Sequence, residues 1–434
     1  MSHGGQTRRR FLTAVGTGAT IGLAGCTGLF GGDDGGGSTI TYLSDRGDSR
    51  DLVDEIIDEF ESEFDYTVDV TYTSTGTSTD EELQRMVTAD NPPDIIFDTS
   101  ADAYRYQLDG NLAPVTSAVQ DVGLPDPVNV DGESYMAPTM VEPLMFWYRT
   151  DLYEEYPETW DAWSQEAQRV TEEEDINGFC VQTGQTNNAD TQHTQYLWQN
   201  GVQPYGGPTG DVEVRIDQGE NRERAIETYE WIQEMNEYSP NGSGWEWGDA
   251  IGALQQENVA AIPSVGGFPI LSIAENRPEL AQNLSPAPFP IPEGREHENW
   301  WAYYEGHVVR NDGSATEGAQ EFVEFFSKSE RFMDFLLTAP LFQLPPTRDQ
   351  LGNETYRNHE IVQEYPGVLD LAEEYWDVFT TVLETADGGA PNLLGAEGYA
   401  NHVFGRGADE LLIGDRSPED TVDWVADELR TLQE

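Results

Sequence analysis

The sequence predicts an α/β protein built on a mostly parallel sheet flanked by helices. Three observations point there. From Ser38 to Ser100, short runs rich in β-branched and aromatic residues take turns with acidic runs of helical period. The 434 residues include 11 Trp, 19 Tyr and 17 Phe, spread through the periodic segments and sufficient for sizeable cores. Past the N-terminal region, no stretch approaches the roughly 18 consecutive apolar residues of a membrane span.

Ser38 to Ser44 alternates like a first strand. Leu52, Val53, Ile56, Ile57, Phe60 and Phe64 follow at helical spacing, with acids between them. Tyr66 to Tyr72 reads as a second strand, Glu81 to Ala89 as a short helix, and Asp94-Ile95-Ile96-Phe97-Asp98 as a buried strand after Pro92-Pro93. Ligands of such sheets sit beyond the carboxyl ends of strands, where Ser44, Asp45, Asp98, Thr99 and Ser100 lie. Asp151 onward is expected helical to Glu174, with Thr159 as a cap before Trp160. Gly178 to Val181 is expected as a strand and Asn187 to Thr194 as a polar loop. A helix at Gln195 to Gly201 follows, then helices at Arg222 to Tyr238 and Ala250 to Glu257. Val259 to Pro263 reads as a strand before Gly266-Gly267-Phe268. Trp300 to Val309 is a long strand, Ala315 to Phe326 and Arg331 to Leu337 are helices, and the remainder is helical with a loop at Ala386 to Ala396.

Charge narrows the function. The 81 acidic residues face 22 basic ones, giving a net charge of −59, and Lys328 is the single lysine. In dilute buffer such a charge repels itself; in molar salt the Debye length falls to about 3 Å and the repulsion is screened. This balance resembles proteins of extreme halophiles. The abundant aromatics argue against disorder. The acidity argues against nucleic acid and anionic lipid headgroups as partners. Cys180 has no partner but Cys26, which excludes a disulfide framework or a multi-cysteine metal site; it reads as a small buried hydrophobe. The six histidines are scattered, and no zinc-binding His pair, phosphate loop, dinucleotide fingerprint or nucleophile elbow occurs. No cofactor and no metal is expected.

The N-terminal region reads as an address. Arg8-Arg9-Arg10 precede Phe11-Leu12 and a short apolar run ending in Leu23-Ala24-Gly25-Cys26, followed by a glycine-rich stretch. The arginines resemble a twin-arginine export signal, and the tetrad resembles a lipobox. The resemblance implies a signal peptide over 1–25, lipidation of Cys26 and a tether over 26–37. The chain would then be held on the extracellular face of the cytoplasmic membrane.

The body carries a second resemblance. The strand–helix order up to Pro92-Pro93-Asp94-Ile95-Ile96 is followed by Tyr135-Met136-Ala137-Pro138, Val141-Glu142 and Phe146-Trp147-Tyr148-Arg149-Thr150-Asp151-Leu152-Tyr153. Pro157-Glu158-Thr159-Trp160-Asp161, the Gly266-Gly267-Phe268 turn, Leu344-Pro345-Pro346-Thr347-Arg348 and Gly414 to Thr421 complete the set. In this order the landmarks resemble extracellular solute-binding proteins of ABC importers, in the sugar-binding group that includes maltose-binding protein. Ala137 stands where that group usually has glycine, and Arg149-Thr150 replaces its asparagine-lysine.

The resemblance implies a two-lobed, periplasmic-binding-protein-like fold of type II. Residues 38–141 plus 304–345 would form lobe 1, and 142–303 plus 346–434 lobe 2, with three crossovers near Val141, Tyr304 and Pro345. It also implies a non-enzymatic receptor that captures a sugar in the interlobe cleft and delivers it to an ABC permease. Asp45 and Arg46 align with an acid–base pair that contacts ligand in that group, and Glu142 with a cleft glutamate. Asp98 lies near the third strand's end, and Glu305 and Arg348 at the other crossovers. Sugars present apolar C–H faces and polar rims, which aromatic platforms and charged or amide groups satisfy. Trp198, Trp245, Trp247, Phe268, Trp300, Trp301 and Tyr303 are the candidate platforms. Two other readings stay open: a secreted glycoside hydrolase, since acids are abundant, and a receptor for another solute such as a glycerol phosphate, met by Arg46, Arg105 and Arg348. A cell-surface adhesin would bind no small ligand at all.

Overall fold

The described chain opens as its periodicity predicts. Strand β1 (Ser38–Ser44) leads to helix α1 (Arg50–Glu63), then β2 (Tyr66–Tyr72), α2 (Asp80–Thr88), β3 (Ile95–Thr99) and α3 (Ser100–Leu108). A long strand, β4 (Ala137–Arg149), precedes α4 (Trp160–Glu174), α5 (Asn187–Gln199), α6 (Gly219–Asn236) and α7 (Trp247–Gln255). Next come β5 (Ala261–Val265), β6 (Leu284–Ala287) and a second long strand, β7 (Trp300–Arg310). Helices α8 (Thr316–Lys328), α9 (Phe332–Leu336), α10 (Leu393–Ala400), α11 (Val403–Leu412) and α12 (Pro418–Thr431) follow among shorter ones. The computed structural model describes residues 38–73, 79–153, 155–208, 211–384 and 391–433. The expected signal peptide, Cys26 and the tether lie outside the described residues.

The elements build one mixed sheet flanked by helices, ordered β5-β4-β7-β3-β1-β2. β2, β1 and β3 are parallel, while β7 runs antiparallel to β3 and β4 antiparallel to β7. β5 and β6 add antiparallel pairs to the far end of β4. The strand period of two divides neighbouring residues between two cores, one per face. Ile95 and Phe97 join one core and Ile96 the other; Trp300 and Trp301 divide the same way, as do Phe146 and Trp147. α1 docks through Val53, Ile56, Ile57 and Phe60, the buried stripe its spacing predicts. Each such side chain contributes about 1.5–3 kcal/mol. Among the described residues, no helix is long and apolar enough to cross a membrane.

The three segments read as crossovers meet side by side. Val141 stands opposite Tyr304 in the β4–β7 ladder, and its N–H donates to Leu344 O at 3.0 Å. At the β7 bulge, Gly306 comes so close to β4 that a Cβ would lie 2.1 Å from Ala137 O, a position only glycine fills.

The loop expected to run to Ala396 is cut short by α10, which begins at Leu393, and three further local expectations fail, each for a physical reason. The chain is not helical from Asp151; α4 starts at Trp160, where the Thr159 side chain accepts from Ala162 N. Gly178 to Val181 forms no strand. Phe179 N donates to Tyr238 O and Val181 N to Ser239 Oγ, and the short parallel pairing starts only at Gln182. Asn187 to Thr194 is not a loop but the first half of α5, a helix buried almost all round. Its glutamines find partners in the interior: Gln192 donates to Cys180 O and to Tyr196 Oη of the same helix, and Gln195 and Gln199 both donate to Asn299 O. Hydropathy alone reads such a segment as solvated.

Candidate functional site

The turn after β1 places a guanidinium deep beside the crossing strands. Arg46 is 2% exposed, and its backbone N–H donates to Ser44 Oγ at 3.1 Å. Its guanidinium lies over the rings of Phe97, 5.3 Å from the centroid, and Phe342, at 5.7 Å. Three carboxylates surround it. Asp45 Oδ1 is 3.4 Å from Nε, Glu142 Oε1 is 3.7 Å from Nη2, and Glu305 ion-pairs with Nη2. The strands deliver these acids: Glu142 stands opposite Tyr303 in the β4–β7 ladder, and Glu305 sits just before the β7 bulge, opposite Thr99 of β3.

Glu142 is 3% exposed, and Oε1 accepts no hydrogen bond among the described residues. Burial pushes its carboxyl up to about 7; Arg46 pulls the other way, while Asp45 and Asp48 add to the rise. A buried carboxylate pays this cost when its charge is only partly compensated.

These groups face a cavity of about 130 Å³. Asp98, Thr99 and Asp102 line it from the β3–α3 junction, where Thr99 caps α3 and Tyr106 Oη donates to Asp98 Oδ2 at 2.9 Å. Trp247 at the start of α7, Phe268 and Phe342 bring aromatic surface, the last two stacked with centroids 4.9 Å apart. Phe268 is turned in by Gly266, which holds φ +42 where a side chain would strike Leu341 O. Tyr303 and Tyr399 close another wall. Tyr399 Oη donates to Tyr303 Oη at 3.0 Å, and Tyr303 also bonds Thr191 Oγ1 of α5 at 2.6 Å. Beside them Arg105 of α3 reaches Glu397 of α10 at 3.0 Å, pinning the two helices together.

Eight residues singled out from the sequence thus converge on one cavity: Asp45, Arg46, Asp98, Glu142, Trp247, Phe268, Tyr303 and Glu305. Five others stand elsewhere. Trp300 is buried against Tyr375, with ring centroids 4.6 Å apart. Trp198 and Trp301 are buried and stacked on each other at 5.5 Å, with Trp301 packed edge-on to Tyr303. Trp245 packs, half-buried, against the apolar core. Arg348 is exposed and paired with Asp377 at 2.8 Å. Phe97, Asp102, Phe342 and Tyr399 line the cavity without having been singled out. Phe97 reads as ordinary strand core, and Phe342 and Tyr399 belong to segments distant in sequence. Among the described residues, no group of three or more His, Cys, Asp and Glu is placed to hold a metal.

Comparison with known proteins places this cavity in context. A maltodextrin-binding protein of Bacillus subtilis is 23% identical over 282 residues, 60% of this chain and 64% of that protein's length. The chain thus spans less than two thirds of that relative. The GacH receptor of Streptomyces glaucescens, solved unliganded and with acarbose, superposes with a TM-score of 0.71 at 18% identity, covering 91% of this chain and 98% of that one. A T. maritima protein with maltose bound gives 0.72 at 16%, covering 91% and 100%. A sugar transporter from Arthrobacter chlorophenolicus with laminaribiose gives 0.74 at 13%, covering 91% and 99%. These likenesses establish the periplasmic-binding-protein-like fold of maltose-binding proteins. The sequence model of the bacterial extracellular solute-binding protein family matches residues 46–330, from the buried Arg46 through both long strands. By that match the chain belongs to the bacterial extracellular solute-binding protein family.

Proposed function

We propose that this chain is the sugar receptor of an ABC importer, lipid-anchored through Cys26 after twin-arginine export, and adapted to molar salt. The observation that carries the reading is the convergence on one cavity of buried charge and aromatic surface contributed by both sides of the crossing strands. Arg46, Asp98 and Glu305 lie on one side and Glu142, Trp247 and Tyr303 on the other. Residues 38–141 plus 304–345 form lobe 1, residues 142–303 plus 346–434 form lobe 2, and Val141, Tyr304 and Leu344 mark the hinge. Ligand contacts to both lobes favour the closed state, which docks on the permease. The acidic surface keeps the receptor soluble in salt, and the tether raises its effective concentration at the membrane.

A phosphorylated ligand fits less well. Of the arginines offered for it, Arg348 pairs with Asp377 on the surface and Arg105 is taken up by Asp102 and Glu397. The test is a thermal-shift screen of mono- and oligosaccharides in molar KCl, with product analysis alongside. A shift growing as RT ln(1 + [L]/Kd) without turnover is expected. Steady conversion of the sugar would establish a hydrolase, and no shift with any small ligand would leave the adhesin.

A further inference from the structure

We propose that the cleft selects a sugar carrying a protonated amino group, which Glu142 receives. This rests on the receptor reading above and names its ligand class more closely. The cavity presents five carboxylates, Asp45, Asp98, Asp102, Glu142 and Glu305, to a single lining guanidinium. That guanidinium is already ion-paired to three of the five, and Asp102 pairs with Arg105 outside the lining, so the acids still outnumber the cations around the cavity.

An overall acidic surface accounts for exposed acids; it does not account for Glu142, which is 3% exposed. Glu142 lines the cavity, and its Oε1 accepts no hydrogen bond among the described residues, with Arg46 Nη2 standing off at 3.7 Å. Leaving a buried carboxylate short of donors is costly, and a ligand that brings both a donor and a positive charge removes that cost. A hydroxyl brings the donor alone. A phosphate or uronate would add negative charge to a wall that already holds an excess. The surroundings suit a cation: Tyr303 stands opposite Glu142 on the neighbouring strand, and Phe268 and Trp247 bring aromatic surface to the same cavity.

Matched sugar sets differing in one substituent test this. D-glucosamine, D-glucose and N-acetyl-D-glucosamine form one set. Their β-1,4-linked disaccharides (the glucosamine dimer, cellobiose and the N-acetylglucosamine dimer) form the other. Binding to the purified full chain is measured by calorimetry in molar KCl. The amine should bind about tenfold more tightly than its hydroxyl or acetamide twin in at least one set. In Glu142→Gln the preference should shrink to within about twofold; that ratio tracks charge, so a merely structural role for Glu142 would not produce it. A second variant, Glu360→Gln, removes an exposed acid that does not line the cavity and should leave the amine preference in place. Equal or tighter binding of the neutral twin by the parent overturns the inference, as does a preference that survives Glu142→Gln. Binding of neutral sugars alone leaves the receptor reading standing; failure of every sugar, amine and neutral, takes both down.

Discussion

Replacing Glu142 by glutamine should make the ligand-free protein more stable, and increasingly so as pH rises. The side chain is buried against Tyr303, and the charged groups facing it are Arg46, Asp45, Asp48 and Glu305. Burial raises its carboxyl from 4.5 to about 7 on folding. A raised carboxyl favours the folded state fully below pH 4.5, and that contribution is lost as pH climbs through about 7. At 1.36 kcal/mol per pH unit the parent loses about 3 kcal/mol across this window. Glutamine resembles the protonated acid and does not titrate. It leaves Arg46 paired with Asp45 and Glu305. The stability gap between variant and parent should therefore open from about 1 kcal/mol at pH 5 to about 3 kcal/mol at pH 8.5. Urea unfolding followed by tryptophan fluorescence at fixed molar salt and stepped pH reads this gap directly. Parallel pH profiles, or a variant less stable than the parent at pH 8.5, would refute the claim that Glu142 carries an undercompensated buried charge.

Arg46→Met should destabilise the fold by about 3–5 kcal/mol, because Asp45, Glu142 and Glu305 lose their shared cation, and adding Glu142→Gln should restore part of the loss in the same urea assay. Trp247→Ala should weaken sugar binding by about tenfold in calorimetry with little change in stability. Trp301→Ala, in the core beside Trp198, should instead cost about 3–5 kcal/mol of stability. His307 is fully buried, bonded by Tyr42 Oη at 3.0 Å and by Thr139 Oγ1 at 3.2 Å, and burial pushes its imidazole down to about 3. A lowered histidine stabilises fully above its ordinary pH of about 6.5, and that support is lost as pH falls toward 3. The parent should thus lose about 3 kcal/mol more than His307→Gln between pH 7 and pH 4, read by thermal or urea unfolding.

Much of the fold was legible because the stretch from Ser38 to Thr99 obeys local rules. β1, α1, β2, α2 and β3 follow from period and turn chemistry, and α4 and α12 begin at side-chain caps, Thr159 and Ser417, visible in the sequence. α5 was opaque for the opposite reason. Gln192, Gln195 and His193 bond the backbone carbonyls of Cys180, Asn299 and Gln182, which belong to segments a local reading cannot bring together. The site divides the same way. Asp45, Arg46 and Asp98 stand where strand ends place ligands in any open α/β sheet, and Glu142 came from an ordered resemblance. Tryptophan position carried less information. Trp247, two residues from Trp245, lines the cavity, whereas Trp301, two residues from Tyr303, stacks in the core. Whether an aromatic ring lines a cleft or fills a core depends on which segments pack across it, and Phe342 and Tyr399 arrive from more than 200 residues downstream of β3.

The charge cluster and the hinge are one structural problem. Arg46 follows β1, Glu142 follows Val141 on β4, and Glu305 follows Tyr304 on β7, so each of the two acids sits one residue beyond a crossover position. In the proposed lobe division Arg46 and Glu305 belong to lobe 1 and Glu142 to lobe 2, so a rotation about Val141, Tyr304 and Leu344 would change the Arg46–Glu142 separation. With the cleft closed on no ligand, Glu142 keeps its cost, and that cost opposes closure. A ligand group that satisfies Glu142 removes the opposition by the amount it stabilises the carboxylate. Binding energy and closure are then coupled through a single side chain, and a ligand can shift the equilibrium only as far as its preference for the closed state allows. In Glu142→Gln the opposition is gone before ligand arrives, so the empty variant should populate the closed form more than the parent does. Small-angle scattering of both proteins without sugar gives the comparison: a smaller radius of gyration for the variant is expected, and identical radii would separate the buried charge from the hinge.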